Sequence, residues 1–361
     1  MASGELKNVM ADPSMASRDM DVTVRKLPWL CGLVLFLAGL ALLSLGVGRY
    51  AISTAELSRF FLSLVSGVPL LDETRYHELK NVILEVRLPR IIAAILIGAG
   101  LSVSGAAFQA MFRNPLVSPG LLGVLAGASF GAAVAMLMGD QWIIVQVSAF
   151  AGGLVAVLLS LGIARIYRAD SLLMLVLGGI ISTGLFTSLL SIVKALADPY
   201  NQLPAIVFWL MGRLSAVDAA TVLSLALPML LGVGMLMLLG KYLNALSMGD
   251  EEAQTIGVNV PMIRTAVILS ATLVSALTVS MAGMIGWVGL VIPHIARLLV
   301  GPDNHVLLPA SALVGAVFLL IVDDVARTLF NVEVPIGVAT ELIGIPVFIL
   351  VLRNLRAGWL S

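Results

Sequence analysis

Residues 265–296, TAVILSATLVSALTVSMAGMIGWVGLVIPHIA, carry no Asp, Glu, Lys or Arg. A helix rises about 1.5 Å per residue, so this run of roughly 32 residues would reach about 48 Å if straight, against a hydrocarbon core about 30 Å thick. The run therefore has to fold back. The glycine-rich Ser280-Met-Ala-Gly-Met-Ile-Gly286 is the expected turn, leaving short spans near 262–280 and 283–300. Eight further uncharged runs are each long enough for one crossing: Pro28–Gly48, Ile91–Phe112, Ser118–Gly139, Gln141–Ala164, Ser171–Val193, Ala219–Gly240, Val306–Val322 and Pro335–Leu352, the last interrupted only by Glu341. The reading is an all-α, polytopic membrane protein with about ten transmembrane helices.

The composition agrees. Of 361 residues, 60% are hydrophobic and 12% charged, where soluble domains hold about 45–50% apolar and about 25% charged residues. Lys+Arg 21 balances Asp+Glu 21, so no basic excess points to nucleic acid. A soluble enzyme, a disordered chain and a DNA binder are excluded. An even number of crossings puts both termini on one side. Arg25, Lys26, Arg353 and Arg356 flank the first and last spans, which makes that side cytoplasmic. The inner loops then carry Arg113, Arg165, Arg168, Lys241, Arg264 and Arg297, and the later outer loops only Lys194, Arg213 and Arg327. The outer segment 49–90 breaks this bias with Arg49, Arg59, Arg75, Lys80, Arg87 and Arg90. Residues 1–26 are polar, lack a cleavable signal and read as a loose cytoplasmic tail ahead of a membrane domain over 27–361.

Catalytic constellations are missing. The chain has no G-x-x-x-x-G-K-[ST], H-E-x-x-H or C-x-x-C, so ATP hydrolysis and metal-dependent proteolysis are not expected of it. Cys31 stands alone in an apolar run, which excludes a disulfide framework and a cysteine metal site. His77, His294 and His305 are too scattered to share a metal. His294, after Pro293 near the inner end of a span, fits either a satisfied structural role or a transport role.

Three segments are unusual. Arg87-Leu-Pro-Arg90 stands at the outer mouth of the second span, followed by Gly98-Ala-Gly-Leu-Ser-Val-Ser-Gly-Ala-Ala-Phe-Gln109 and Arg113-Asn-Pro-Leu-Val-Ser-Pro-Gly120. Glycines and serines at helical spacing let helices approach closely. The long inner loop, about 241–264, begins a short helical pattern with acidic residues at Asp250 and ends it at Gly257. The third segment is Gly286-Trp-Val-Gly-Leu-Val-Ile-Pro-His-Ile-Ala-Arg297, followed by Asp324-Val-Ala-Arg327 and Val334-Pro-Ile-Gly-Val-Ala-Thr340.

In this order and spacing, over about 28–355, the segments closely resemble the permease subunit of type II ATP-binding-cassette importers, which take up ferric siderophores, haem and cobalamin. The resemblance implies that family's fold, with ten helices per subunit and a homodimer around a central pathway. It also implies two cytoplasmic ATPase subunits, which would bind the ATP and Mg, and a periplasmic or lipid-anchored substrate-binding protein. No cofactor is implied for the chain itself. Its place would be a bacterial or archaeal cell membrane, the inner one in a Gram-negative cell, with membrane lipid around it.

The positions matching the family's docking arginines are Arg87, Arg90 and Arg327, with local salt bridging to Glu85, Asp323 or Asp324 as the competing role. Guanidinium forks suit carboxylate contacts. The matching coupling residues, which would sit in a groove on the ATPase, are Gly249, Asp250, Glu251, Glu252, Ala253, Thr255, Ile256, Gly257 and Val258. In the fifth span Ser182, Thr183 and Thr187 belong to a small and polar stripe, which either lines the pathway or packs against neighbouring helices. The loop before that span matches the family's inner gate at Asp170, Ser171 and Leu172. Residues 203–212 are apolar but too few to cross, suggesting a re-entrant or interfacial helix facing outward.

Glu341 departs from the family's usual small or apolar residue. A carboxylate inside a span is costly, so it serves either an interhelical hydrogen bond or a pathway contact. Metal chelates are the family's common cargo; molybdate or tungstate oxyanions fit a minority branch. A secondary transporter would show more intramembrane ionisable groups than Glu341 alone.

Overall fold

The computed structural model describes residues 13–139, 141–166, 172–329 and 332–359, with side chains described between 28 and 351. Among the described residues there are fifteen α-helices and no strand. Below, the outer end of the bundle is the one holding segment 49–90 and the inner end the one holding 241–264.

Helix α1 (Pro13–Gly46) starts within the segment expected as a loose tail. At the outer end α2 (Thr54–Ser66) opens with a capping box: the Glu56 N–H donates to the Ser53 hydroxyl and the Ser53 N–H donates to the Glu56 carboxylate. Next comes α3 (Glu73–Lys80), which passes through a π-helical turn (Asn81–Arg87) into α4 (Leu88–Phe112) without a break. Pro89 explains the wide turn: it has no N–H and its ring crowds the turn before it, and the Leu88 N–H reaches back to the Ile83 carbonyl. The second span thus begins well before Ile91.

A 3-10 turn (Pro119–Leu122) precedes α5 (Val124–Met138). The antiparallel series continues with α6 (Trp142–Ile166), α7 (Leu172–Leu196), the short outer α8 (Gln202–Leu210) and α9 (Ala219–Leu238). At the inner end lie α10 (Gly240–Met248) and α11 (Asp250–Thr255); α12 (Val260–Ala282), α13 (Val288–Val300), α14 (Asn304–Thr328) and α15 (Ile336–Trp359) complete the chain. Seven helical segments among the described residues are long and apolar enough to span, and three shorter apolar ones (α5, α13 and Ile336–Val351) bring the number to the ten expected.

The uncharged run does fold at its glycines. α12 ends at Ala282, Gly283 takes φ +74°, Trp287 takes φ +66°, and α13 starts at Val288.

α4 is the core of the bundle. A Cβ on Gly98 would lie 2.3 Å from the Gly315 carbonyl oxygen of α14, and one on Gly105 would lie 1.8 Å from that of Gly289 in α13. On the other side of α4, a Cβ on Gly100 would lie 2.7 Å from Val274 of α12. Lipid tails are as apolar as leucine, so helices associate in a bilayer mainly through such close packing. α5 and α6 meet in the same way, Gly127 against the Gly152 carbonyl and Gly131 against that of Ser148.

Gly98→Leu and Gly105→Leu should each cost about 1–3 kcal/mol or more through overpacking, read as loss of monodisperse protein on size-exclusion chromatography. Gly162→Leu, where a side chain meets no atom within 4 Å, should elute as the wild type.

Candidate functional site

Three arginines expected at the outer face come together, and all three are buried. The Arg90 Nε and Nη2 groups donate to both oxygens of Asp323 at 2.9 and 2.7 Å, and Nη2 also donates to Glu333 at 2.5 Å. Arg327 donates to Asp324, and to the carbonyl of Ser44 at 3.0 Å. Arg87 gives its two Nη groups to the carbonyls of Leu45 and Tyr50, each at 2.5 Å. Three guanidinium charges thus face Asp323, Asp324 and Glu333 where α1, α4 and α14 end. Burial has given all three acceptors inside the protein, and the local pairing weighed against docking is present at Asp323 and Asp324. Glu333 and Ser44 escaped the sequence reading because nothing local marks them.

Beside this network, three outer loops are laced by backbone bonds. The Arg213 N–H donates to the Ala282 carbonyl at 2.8 Å, the Ile336 N–H to Gly212 at 3.0 Å, and the Gly337 N–H to Met211 at 3.0 Å. The fit leaves no room for Cβ atoms: one on Gly212 (φ +76°) would lie 2.5 Å from the Met284 carbonyl oxygen and one on Gly283 2.4 Å from that of Trp209. α8 leads into this lacing and is the short outward helix expected at 203–212. Asp218 caps α9, and the Thr221 hydroxyl and N–H hold its carboxyl below the usual range. Burial lowers the Arg213 guanidinium from its ordinary value.

The stripe expected along α7 divides. Ser182 is fully buried and donates to the Ala156 carbonyl of α6 at 2.7 Å, so it packs the protomer and does not line an open surface. Gly178 and Gly179 pack likewise, against the carbonyls of Ser160 and Leu121. Thr183 is half-buried, while Gly184, Thr187 and Ser188 stand on the protomer's outside. Glu341 in α15 is also exposed, with no hydrogen bond or ion pair among the described residues; its Oε1 would lie 3.6 Å from a Cβ on Gly286. Of the gate residues, Leu172 begins α7, whereas Asp170 and Ser171 lie outside the described residues.

At the inner end the short acidic helix is present as α11. The Gly257 N–H bonds to Gln254 and the Val258 N–H to Ala253, with Gly257 at φ +84°, a left-handed stop that favours glycine. Glu251 and Glu252 are exposed, Ala253 is fully buried, and Asp250 pairs with Arg264 of α12 at 2.8 Å. Thr255, Ile256 and Gly257 lie open on the same short element, which Gly249 (φ +141°) begins. His294 has the structural role: it is buried, its Nε2 3.1 Å from the Pro115 carbonyl and its ring against Phe348. Arg297 donates to Gln109 at 3.3 Å.

A glycine-packed bundle of helices long and apolar enough to span a bilayer is the architecture of a polytopic membrane protein. Residues 34–354 match the FecCD transport family, and the chain belongs to it. It is 39% identical over 332 residues to the molybdate import system permease protein MolB of Haemophilus influenzae, covering 92% of this chain and 97% of that protein. An iron chelatin transport system permease protein of Helicobacter pylori is 38% identical over 317 residues, covering 88% and 95%. A solved ABC transporter of metal-chelate type, in an inward-facing conformation, superposes with a TM-score of 0.79 at 40% identity, over 91% of this chain and 99% of that one. The chain is thus an ABC importer permease, not an enzyme; in such transporters the ATPase is a separate subunit.

Breaking a buried pair from one side strands a charge and costs about 3–5 kcal/mol, whereas replacing both partners with apolar residues costs far less. Arg90→Leu alone should sharply lower the thermal midpoint of the purified protein. The double variant Arg90→Leu with Asp323→Leu should recover much of that loss.

Proposed function

We propose that the chain works as a homodimer with two cytoplasmic ATPase subunits, importing a metal chelate handed over by a binding protein at the outer face. The match over residues 34–354 carries this reading. Both termini would be cytoplasmic, as the basic residues at the inner helix ends indicate. ATP and Mg would be bound by the ATPase, whose closure reaches the membrane helices through residues 249–258. The exposed Glu251 and Glu252 and the buried Ala253 suit a helix that presents one face to a partner while the other is anchored.

On the outer face, the Arg87, Arg90 and Arg327 network would set the docking platform, a carboxylate of the binding protein exchanging with Asp324 or Glu333 at its rim. The pathway would run between two copies along the open face of α7, with Thr183 and Thr187, and along Glu341 of α15. Asp170, Ser171 and Leu172 would form the inner gate. A span carboxylate exposed on one protomer is costly against lipid, and a hydrated pathway between two protomers removes that cost. The identity to the molybdate permease favours a second reading, an oxyanion cargo.

Vanadate-sensitive uptake of ferric chelate by proteoliposomes holding permease, ATPase and binding protein tests the main reading; uptake of molybdate alone would favour the second. Glu251→Lys and Glu252→Lys, both at exposed positions, should leave the permease folded while lowering ATPase-coupled uptake at least tenfold. Unchanged uptake in both variants would remove α11 from the coupling route.

A further inference from the structure

Arg213 is unlike the other arginines that the fold covers. Arg75, Arg87, Arg90, Arg264, Arg297 and Arg327 each donate to an oxygen of the protein. Among the described buried or half-buried arginines, Arg213 alone gives no side-chain hydrogen bond and no ion pair, and its Nε is buried without a partner. The guanidinium is held by rings instead, its carbon 5.3 Å from the Trp142 centroid and 5.9 Å from that of Phe208. Ring faces engage the flat side of a guanidinium and leave its in-plane N–H fork free.

The surroundings hold donors in excess. Trp142 and the buried Trp209 each keep an Nε1–H with no acceptor, and the neighbouring carboxylate, Asp218, is engaged with Thr221. The position is also rigid, because the Arg213 N–H is tied to Ala282 and the Ile336 N–H to Gly212. A fixed, half-buried cation without a counter-ion, beside unused donors, suits a ligand that brings negative charge and accepting oxygens. The adjoining charged network cannot supply it, since Asp323, Asp324 and Glu333 are already paired with Arg90 and Arg327.

We propose that Arg213, braced by Trp142 and Phe208, receives the acceptor oxygens of an anionic cargo at the outer mouth. This rests on the importer reading and narrows its cargo to an oxygen-rich anion, either a molybdate-type oxyanion or a ferric chelate bearing carboxylates. With Nε occluded, the two Nη groups are the ones left for the ligand.

The permease in phosphatidylcholine nanodiscs is titrated calorimetrically with sodium molybdate, ferric citrate and cyanocobalamin. Saturable binding of either anion but not of cyanocobalamin is expected, and the anion that binds names the source. Arg213→Gln should weaken it at least tenfold, Arg213→Lys less, and the exposed Arg59→Gln not at all, all three eluting monodisperse. No saturable anion binding, or equal affinity in Arg213→Gln, overturns the proposal. So does binding abolished by phosphatidylglycerol in the discs, which makes a lipid headgroup the occupant. So does loss of binding-protein capture in Arg213→Gln at unchanged anion affinity, which makes a protein carboxylate the occupant. The α11 variants test the importer reading separately, since neither touches Arg213.

Discussion

Everything in this bundle is hung on α4. In water a helix finds its neighbours because apolar faces leave solvent; in a bilayer the lipid competes on equal terms, and only close interlocking distinguishes protein from tail. Gly98, Gly100 and Gly105 provide that interlocking in two directions at once, toward α14 and α13 on one side and α12 on the other. The helices that carry the outer network and lead to the short inner helix α11 are therefore positioned by one row of missing side chains.

The same helix fixes where charge sits. Arg87 and Arg90 flank Pro89, and the π turn that this proline imposes lies immediately before the end of α4 where both guanidinium groups are buried. They reach different partners: Arg87 the last turn of α1 and the chain just after it, Arg90 the carboxylates of Asp323 and Glu333. The chain's formal charge of zero is thus reproduced locally, three charges against three, at the outer end of α1, α4 and α14. Arg213 stands outside that balance, which is what gives it chemical interest.

Some of this was legible in the residues and some was not. The number of crossings and the fold-back at Gly283 followed from length, because a bilayer sets a fixed thickness and uncharged runs must fit it. The helix at Asp250–Thr255 followed from acidic residues at its start and Gly257 at its end. The division of α7 did not follow. Ser182 and Thr187 look alike in a stripe, yet one bonds to Ala156 and the other is exposed. Hydrophobic periodicity separates inside from outside only where the outside is water; in lipid both faces are apolar, and the distinction rests on partners distant in sequence. Glu333 and Ser44 were missed for the same reason, being close to Arg90 and Arg327 only in space.

One helix joins the two ends on which the proposed transport depends. At its inner end α12 is tied to α11 by Arg264 and Asp250, and at its outer end the Ala282 carbonyl accepts the Arg213 N–H. Between them its buried face packs on α4 at Gly100 and on α9 at Gly232, where Val274 fills both glycine gaps. A helix pinned at both ends and interlocked in the middle has little freedom to bend, so under the proposed coupling a displacement of α11 would be passed along its axis to the loop that holds Arg213. Because close-packed interfaces shift between discrete arrangements more readily than they deform, the glycine contacts that stabilise the bundle also limit how α12 can move.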